Sequence, residues 1–220
     1  MLLDADSIRF EASDAKIFHL GYLLLLDQLD QPCAGFGTRA AELLAKASEF
    51  GIITSVDVVS EESDRFGRVV LPTLPFLDII FLNEFEAARV FSLEIRKGGK
   101  IDVPTLLKTA ETLLAAGVRR WVIIHFPEGV LAASRDGRQL FQPSLLVPPN
   151  QIAGAAGAGD AFAAGFLLGY HNELPMEDCL VFGACAAAAS LRHPSTTEGV
   201  ERLDACLALG YEFGYRESIL

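Results

Sequence analysis

The sequence predicts an α/β fold in which a mainly parallel sheet is flanked by helices and carries a hairpin at one edge. Three observations lead there. Short apolar runs of strand length alternate with longer stretches of helical period, the order that builds strand-helix-strand units. A Gly- and Ala-rich loop, Gly154-Ala-Ala-Gly-Ala-Gly159, empties into a helix from Asp160 onward. Asp136-Gly137 lies between two short runs, 129–134 and 139–141, which is a strong hairpin signal.

Composition sets the outer bounds. With 220 residues, 51% hydrophobic content and a mean hydropathy of +0.33, the chain can bury a substantial core and is expected to form one domain over 1–220. A formal net charge of −11 argues against nucleic acid and against anionic membranes as partners. It does not exclude a small anionic ligand, because local amides and a bound cation offset a general field. Cys33, Cys179, Cys185 and Cys206 show no Cys-x-x-Cys spacing and read as free thiols in a reducing compartment. Met1-Leu-Leu-Asp-Ala-Asp6 is acidic where a secretory signal is basic, so a cytoplasmic location is expected.

In chain order, 17–21 reads as a buried strand and Tyr22 to Leu29 as a loop or helical turn. Gly37-Thr38 introduces a helix through Leu43 and Leu44 to Phe50, closed by Gly51, and 52–57 is the next strand. Such a pair is joined in parallel by a right-handed crossover. Residues 60–77 read as a short helix followed by a Pro-marked turn, and 78–82 as a strand that runs directly into the helix 83–91. After the loop at 97–100, Leu106, Leu107, Ala110, Leu113 and Leu114 mark one face of a helix over 103–116. Residues 120–125 form an apolar interior strand, followed by the hairpin. Helices are expected over 176–191 and 201–211, with a peripheral tail beyond. His19 and His125 fall at strand ends, while His171 and His193 follow helices.

Two stretches carry chemistry. A glycine-built loop opening into a helix leaves backbone N–H groups without intrahelical partners, and the helix dipole adds positive potential there. That is an anion site. A carboxylate at its mouth repels the anion, so Asp160 reads either as an N-cap in a merely close-packed junction or as a base that accepts a proton from an attacking hydroxyl. A membrane span over 152–170 is disfavoured by Asp160 in its middle. The second stretch is Asn83-x-x-Glu86 at a strand's carboxyl end, where open α/β sheets bind ligands. It has capping-box spacing, with Asn in place of Ser or Thr, and the capping and ligand readings are compatible.

Gly157-Ala-Gly-Asp160-Ala-Phe-Ala-Ala-Gly-Phe166 resembles the C-terminal motif of the ribokinase-like (PfkB) carbohydrate kinases. The resemblance implies a ribokinase-like fold and transfer of the γ-phosphoryl of ATP to a hydroxyl of a sugar or sugar-like small molecule. It implies that Gly157, Ala158 and Gly159 form the anion hole and that Asp160 is the catalytic base. Asn83-x-x-Glu86 resembles the family motif tied to Mg²⁺ through ordered water. His125, Pro127 and Gly129, on the strand and loop before the hairpin, would border the nucleotide.

The match also implies departures. The chain corresponds to roughly the last two thirds of a family member, so the N-terminal strands, the β-stranded lid and the acidic residue that holds the sugar hydroxyls are expected to be absent; water exclusion and acceptor alignment depend on such parts. Exposed sheet surface would then invite a homo-oligomer or a partner chain. The alternative function is a non-catalytic nucleotide-binding or interaction subunit, and a shortened reading frame is a third possibility. Gly154, Ala155 and Ala156 replace the side-chain oxygens that relatives carry near a monovalent-cation site, which argues against potassium activation. Pro127 stands where a glycine is usual.

Overall fold

The structure, a computed structural model, describes Leu3 and residues 5–220. Met1, Leu2 and Asp4, part of the acidic start on which the expected location rests, lie outside the described residues. Two compact units divide the chain. The first runs to Ile124 and includes Ala132–Gln139; the second holds His125–Leu131 and Leu140–Leu220.

In the first unit β1 (Ile17–Leu23) is followed by a small antiparallel pair, β2 (Pro32–Cys33) and β3 (Gly37–Thr38), and by α1 (Arg39–Glu49). Thr38 caps α1 by accepting the Ala41 N–H at 3.1 Å, and Ala40, Leu43, Leu44 and Ala47 form its buried face. Next come β4 (Ile53–Val58), α2 (Phe66–Val70) with a 3₁₀ stretch over Leu71–Phe76, β5 (Ile79–Asn83) and α3 (Glu84–Val90). A second small antiparallel pair, β6 (Arg96–Lys97) and β7 (Lys100–Ile101), precedes α4 (Val103–Ala115), which Asp102 caps through Thr105 N–H.

The main sheet continues with β8 (Trp121–Phe126), β9 (Gly129–Ser134) and β10 (Gln139–Pro143), and its order is β1-β4-β5-β8-β9-β10. β1 pairs with β4 and β4 with β5 in parallel, with Leu20 opposite Val56 and Val56 opposite Ile80. Parallel pairing aligns the carboxyl ends at Leu23, Val58 and Asn83, so it sets Asn83 at the end where α/β sheets bind ligands. β9 and β10 form the expected edge hairpin, closed by Ser134 N–H to Arg138 C=O at 2.9 Å.

The second unit adds α5 (Ala158–His171), α6 (Met176–Leu191) and α7 (Leu203–Phe213). Leu145, Val147, Ala184, Cys185, Ala188, Ala189, Cys206 and Leu209 make one of its apolar clusters. All four cysteines are free; Cys33 is partly buried and the other three are buried.

Three expectations are corrected. β1 extends through Tyr22 and Leu23, because Leu23 still finds a parallel partner in Val58 after an irregularity in register. His19 therefore sits within the strand, bonded through Nδ1 to Ser55 Oγ at 2.6 Å. The tail is not peripheral: Leu145 bridges Tyr215 antiparallel, Leu146 N–H reaches Gly214 C=O at 3.0 Å and Arg216 N–H reaches Ser144 C=O at 2.9 Å. Among the described residues no helix is long and apolar enough to cross a membrane.

Candidate active site

The anion loop is built by close packing within the second unit. Ala153 and Gly154 N–H groups both donate to Leu191 C=O, at 2.8 and 3.3 Å, which ties the start of the loop to the end of α6. Gly157 caps α5 at φ +82°, the left-handed region that favours glycine. A Cβ there would also lie 2.5 Å from Thr196 O, so neither the conformation nor the space admits a side chain.

α5 starts one residue later. Ala158 N–H turns back to Ala155 C=O at 3.3 Å and Ala161 N–H to Gly157 C=O at 2.9 Å. Among the described residues the Gly159 amide has no acceptor, so it stays available at the positive end of a 14-residue helix. Ala158 offers its amide only by giving up a long bond. Asp160 is exposed and lies in the first turn, with Gly157 in the capping place and no side-chain cap bond. The N-cap reading of Asp160 is thereby overturned.

α5 is held by α6. At Gly165 a Cβ would meet Phe182 O at 2.6 Å, at Gly169 it would meet Cys179 Cα at 3.1 Å, and at Gly183 it would meet Phe162 Cε2 at 2.6 Å. Small residues let the two helices touch backbone to backbone, and that contact fixes the direction in which the first turn of α5 points. Phe162, Phe166 and Tyr170 stack in sequence along α5, with centroids 6.2 and 6.0 Å apart.

The His125 ring packs beside this turn. Its Cε1 and Nε2 atoms stand 3.2 and 3.4 Å from where a Cβ on Gly159 would be, and Phe162 lies 6.1 Å away between centroids. Burial pushes its pKa down from 6.5 to about 4, against an opposing pull from the Asp160 carboxylate. Past it, exposed Pro127 accepts Ser144 Oγ–H at 2.9 Å through its carbonyl. Gly129 is buried, and a Cβ on it would strike Phe141 at 2.5 Å and Gln142 O at 2.6 Å, so close packing against β10 already requires a glycine there.

In the first unit Asn83 and Glu86 form a complete capping box on α3. Asn83 Oδ1 accepts Glu86 N–H at 2.9 Å, and Glu86 Oε2 accepts Asn83 N–H at 2.8 Å. Glu86 Oε1 also accepts Ser60 Oγ–H at 2.7 Å and Asn83 Nδ2–H at 2.8 Å. The side chain is buried, and burial raises its pKa from 4.5 to about 6 despite those donors. Every group bonded to this carboxylate is neutral, so its charge is left for a cation to compensate. Both oxygens are already engaged, which suits contact through water better than direct ligation. Among the described residues no three His, Cys, Asp or Glu side chains gather as a metal cluster. Ser60 was missed in sequence because 26 positions separate it from Glu86, and only the parallel strand ends bring them together.

Compared with known families, residues 4–203 match the pfkB family carbohydrate kinase description. The chain belongs to this family. Among curated pfkB relatives, cytidine kinase of Thermococcus kodakarensis is 29% identical over 173 residues, which cover 79% of this chain and 54% of the relative. Adenosine kinase 2 of Arabidopsis thaliana is 29% identical over 126 residues, 56% of this chain and 36% of the relative. The chain thus spans about half the length, or less, of these curated relatives. Among solved structures, Arabidopsis thaliana ribokinase complexed with ribose and ATP shares the fold at a TM-score of 0.64 and 20% identity, covering 78% of this chain and 50% of that one.

Of the residues singled out in sequence, the second unit brings together His125, Gly157, Ala158, Gly159 and Asp160, with Pro127 and Gly129 following His125 directly. The first unit joins Asn83 and Glu86 to each other and to Ser60. Pro127 and Glu128 alone link β8 to β9, so the turn is tight.

Proposed function

We propose that this pfkB chain supplies the phosphoryl-transfer part of a kinase that moves the γ-phosphoryl of ATP to a hydroxyl of a sugar, nucleoside or similar small molecule. One observation carries the reading. Asp160 is an exposed carboxylate in the first turn of a helix whose opening is kept bare by glycines, and the capping place itself is held by Gly157. A carboxylate so placed takes the proton of an attacking hydroxyl, while the amides of 157–159 stabilise charge on the transferring group. His125, Pro127 and Gly129 border the nucleotide. Ser60, Asn83 and Glu86 would hold Mg²⁺ through water, and the ion would supply charge neutralisation. The relatives named above include nucleoside kinases, so the acceptor class extends beyond sugars. ATP as co-substrate and free buried thiols fit a cytoplasmic setting.

The test is thermal unfolding with and without Mg-ATP, on the native chain and on Asp160→Asn. Ligand at about one hundred times its dissociation constant adds roughly 2.7 kcal/mol, which raises Tm by about 5–10 °C in a chain of this size. Asp160→Asn is expected to keep that shift within a few-fold of native affinity and to lose turnover. No shift on the folded native chain would remove the kinase reading, and unchanged turnover in Asp160→Asn would remove Asp160 as the base.

A further inference from the structure

Resting on the functional reading above, we infer that His125 donates a hydrogen bond from Nε2 to an oxygen of the phosphate group seated at the 157–159 amides, so that anion binding and proton binding at this imidazole are coupled.

The geometry makes the case. The ring edge carrying Cε1 and Nε2 lies against Gly159, where a side chain would make the ring give by a few tenths of an ångström. A Cβ 3.2 Å from Cε1 would press the ring aside, so the bare glycine serves both the amide and the imidazole. Phe162 backs the ring from the second turn of α5. Among the described residues neither ring nitrogen has a hydrogen-bond partner, although the ring is mostly withdrawn from water. Ring nitrogens without a protein partner can turn to an anion on the loop beside them, because a protonated Nε2 is a donor.

Charge points the same way. Asp160 is the ionised group that acts on His125, and burial outweighs it, so the free ring is neutral with a pKa of about 4. A phosphate adds negative charge beside the ring and favours its protonated form. By linkage, what raises the proton affinity of the ring when anion is bound must raise anion affinity when the ring is protonated. The proton comes from buffer and becomes the N–H of an imidazolium; no covalent bond changes. Affinity for phosphate-bearing ligands therefore increases as pH falls, over the window between the free pKa near 4 and the higher bound value.

The experiment is isothermal titration of Mg-ADP at mildly acidic pH, in buffers of different ionisation enthalpy, on native protein and His125→Gln. Native protein is expected to take up more protons per nucleotide bound than His125→Gln, and to bind several-fold tighter. Protonation of the nucleotide itself is common to both and cancels. Equal proton uptake and equal affinity in the two proteins would overturn the inference. Should His125→Gln fold poorly, imidazole ¹⁵N resonances of native protein give the same answer: Mg-ADP is expected to shift those of His125 towards the imidazolium pattern, and unchanged resonances on a nucleotide-saturated protein would overturn it. Failure of native protein to bind Mg-ADP at all would instead overturn the kinase reading on which it rests.

Discussion

Glu86 shows how one buried side chain can serve two ends. Its oxygens finish the N-terminus of α3, yet among the described residues only neutral groups bond it, and its pKa stands near 6. A carboxyl whose folded pKa exceeds its unfolded value favours folding fully below about 4.5 and loses that advantage as pH rises through 6. His125 runs the opposite way: its lowered pKa favours folding above 6.5, and that contribution is lost as pH falls towards 4. Glu86→Gln removes the first dependence alone. Urea midpoints are expected to show the variant gaining about 1 kcal/mol on the native chain between pH 5 and pH 7, and an equal offset at both pH values would show that the carboxylate is not held out of water. In sequence, Asn83 and Glu86 were legible as a pair because the box has a fixed spacing. Ser60 was not, since nothing in 60–64 marks a hydroxyl that will meet a carboxylate across two strand ends.

At the scale of elements, the α5–α6 pair decides where the anion site points. The close packing has a definite address: Gly183 lies against Phe162, one turn below the amides. Gly183→Ala places a methyl 2.6 Å from that ring. Overpacking of this kind costs about 1–3 kcal/mol, offset in part by the helix propensity of alanine over glycine. A lower denaturation midpoint, with a weaker response to Mg-ATP than in the native chain, is the expected result; an unaltered response would show that the helix crossing does not govern the loop. Helices with apolar periodicity, such as α1 and α4, were readable to within a residue or two, because the buried stripe and the Thr38 and Asp102 caps are local signals. The extra length of β1 was not, since Tyr22 and Leu23 gain their strand geometry from β4, far along the chain.

For the whole molecule, the fold class followed from alternation of periods, while the closing segment did not, because Gly214-Tyr-Arg216 has no strand pattern until 144–146 lies beside it. Tyr215 also meets Cys185, with its oxygen 3.7 Å from the thiol, and joins the second unit's two ends of sequence. A chain stopped at Phe213 loses the Tyr215 side chain and three backbone bonds, Leu146 N–H to Gly214 C=O, Arg216 N–H to Ser144 C=O and Gly214 N–H to Gly210 C=O. Burial and hydrogen-bond magnitudes put the cost at about 2–4 kcal/mol, checked by urea unfolding. Stability equal to that of the native chain would show the segment to be an ornament. The glycines between α5 and α6 carry one more consequence, for the history of the gene. Any single-base change in a glycine codon that alters the residue adds a side chain, and Gly165 and Gly183 have no room for one. At Gly183 the nearest atoms belong to the Phe162 ring, so a substitution there is expected to follow a change at Phe162; at Gly165 they are the backbone of Phe182, which no neighbouring substitution removes, so glycine is expected to persist there.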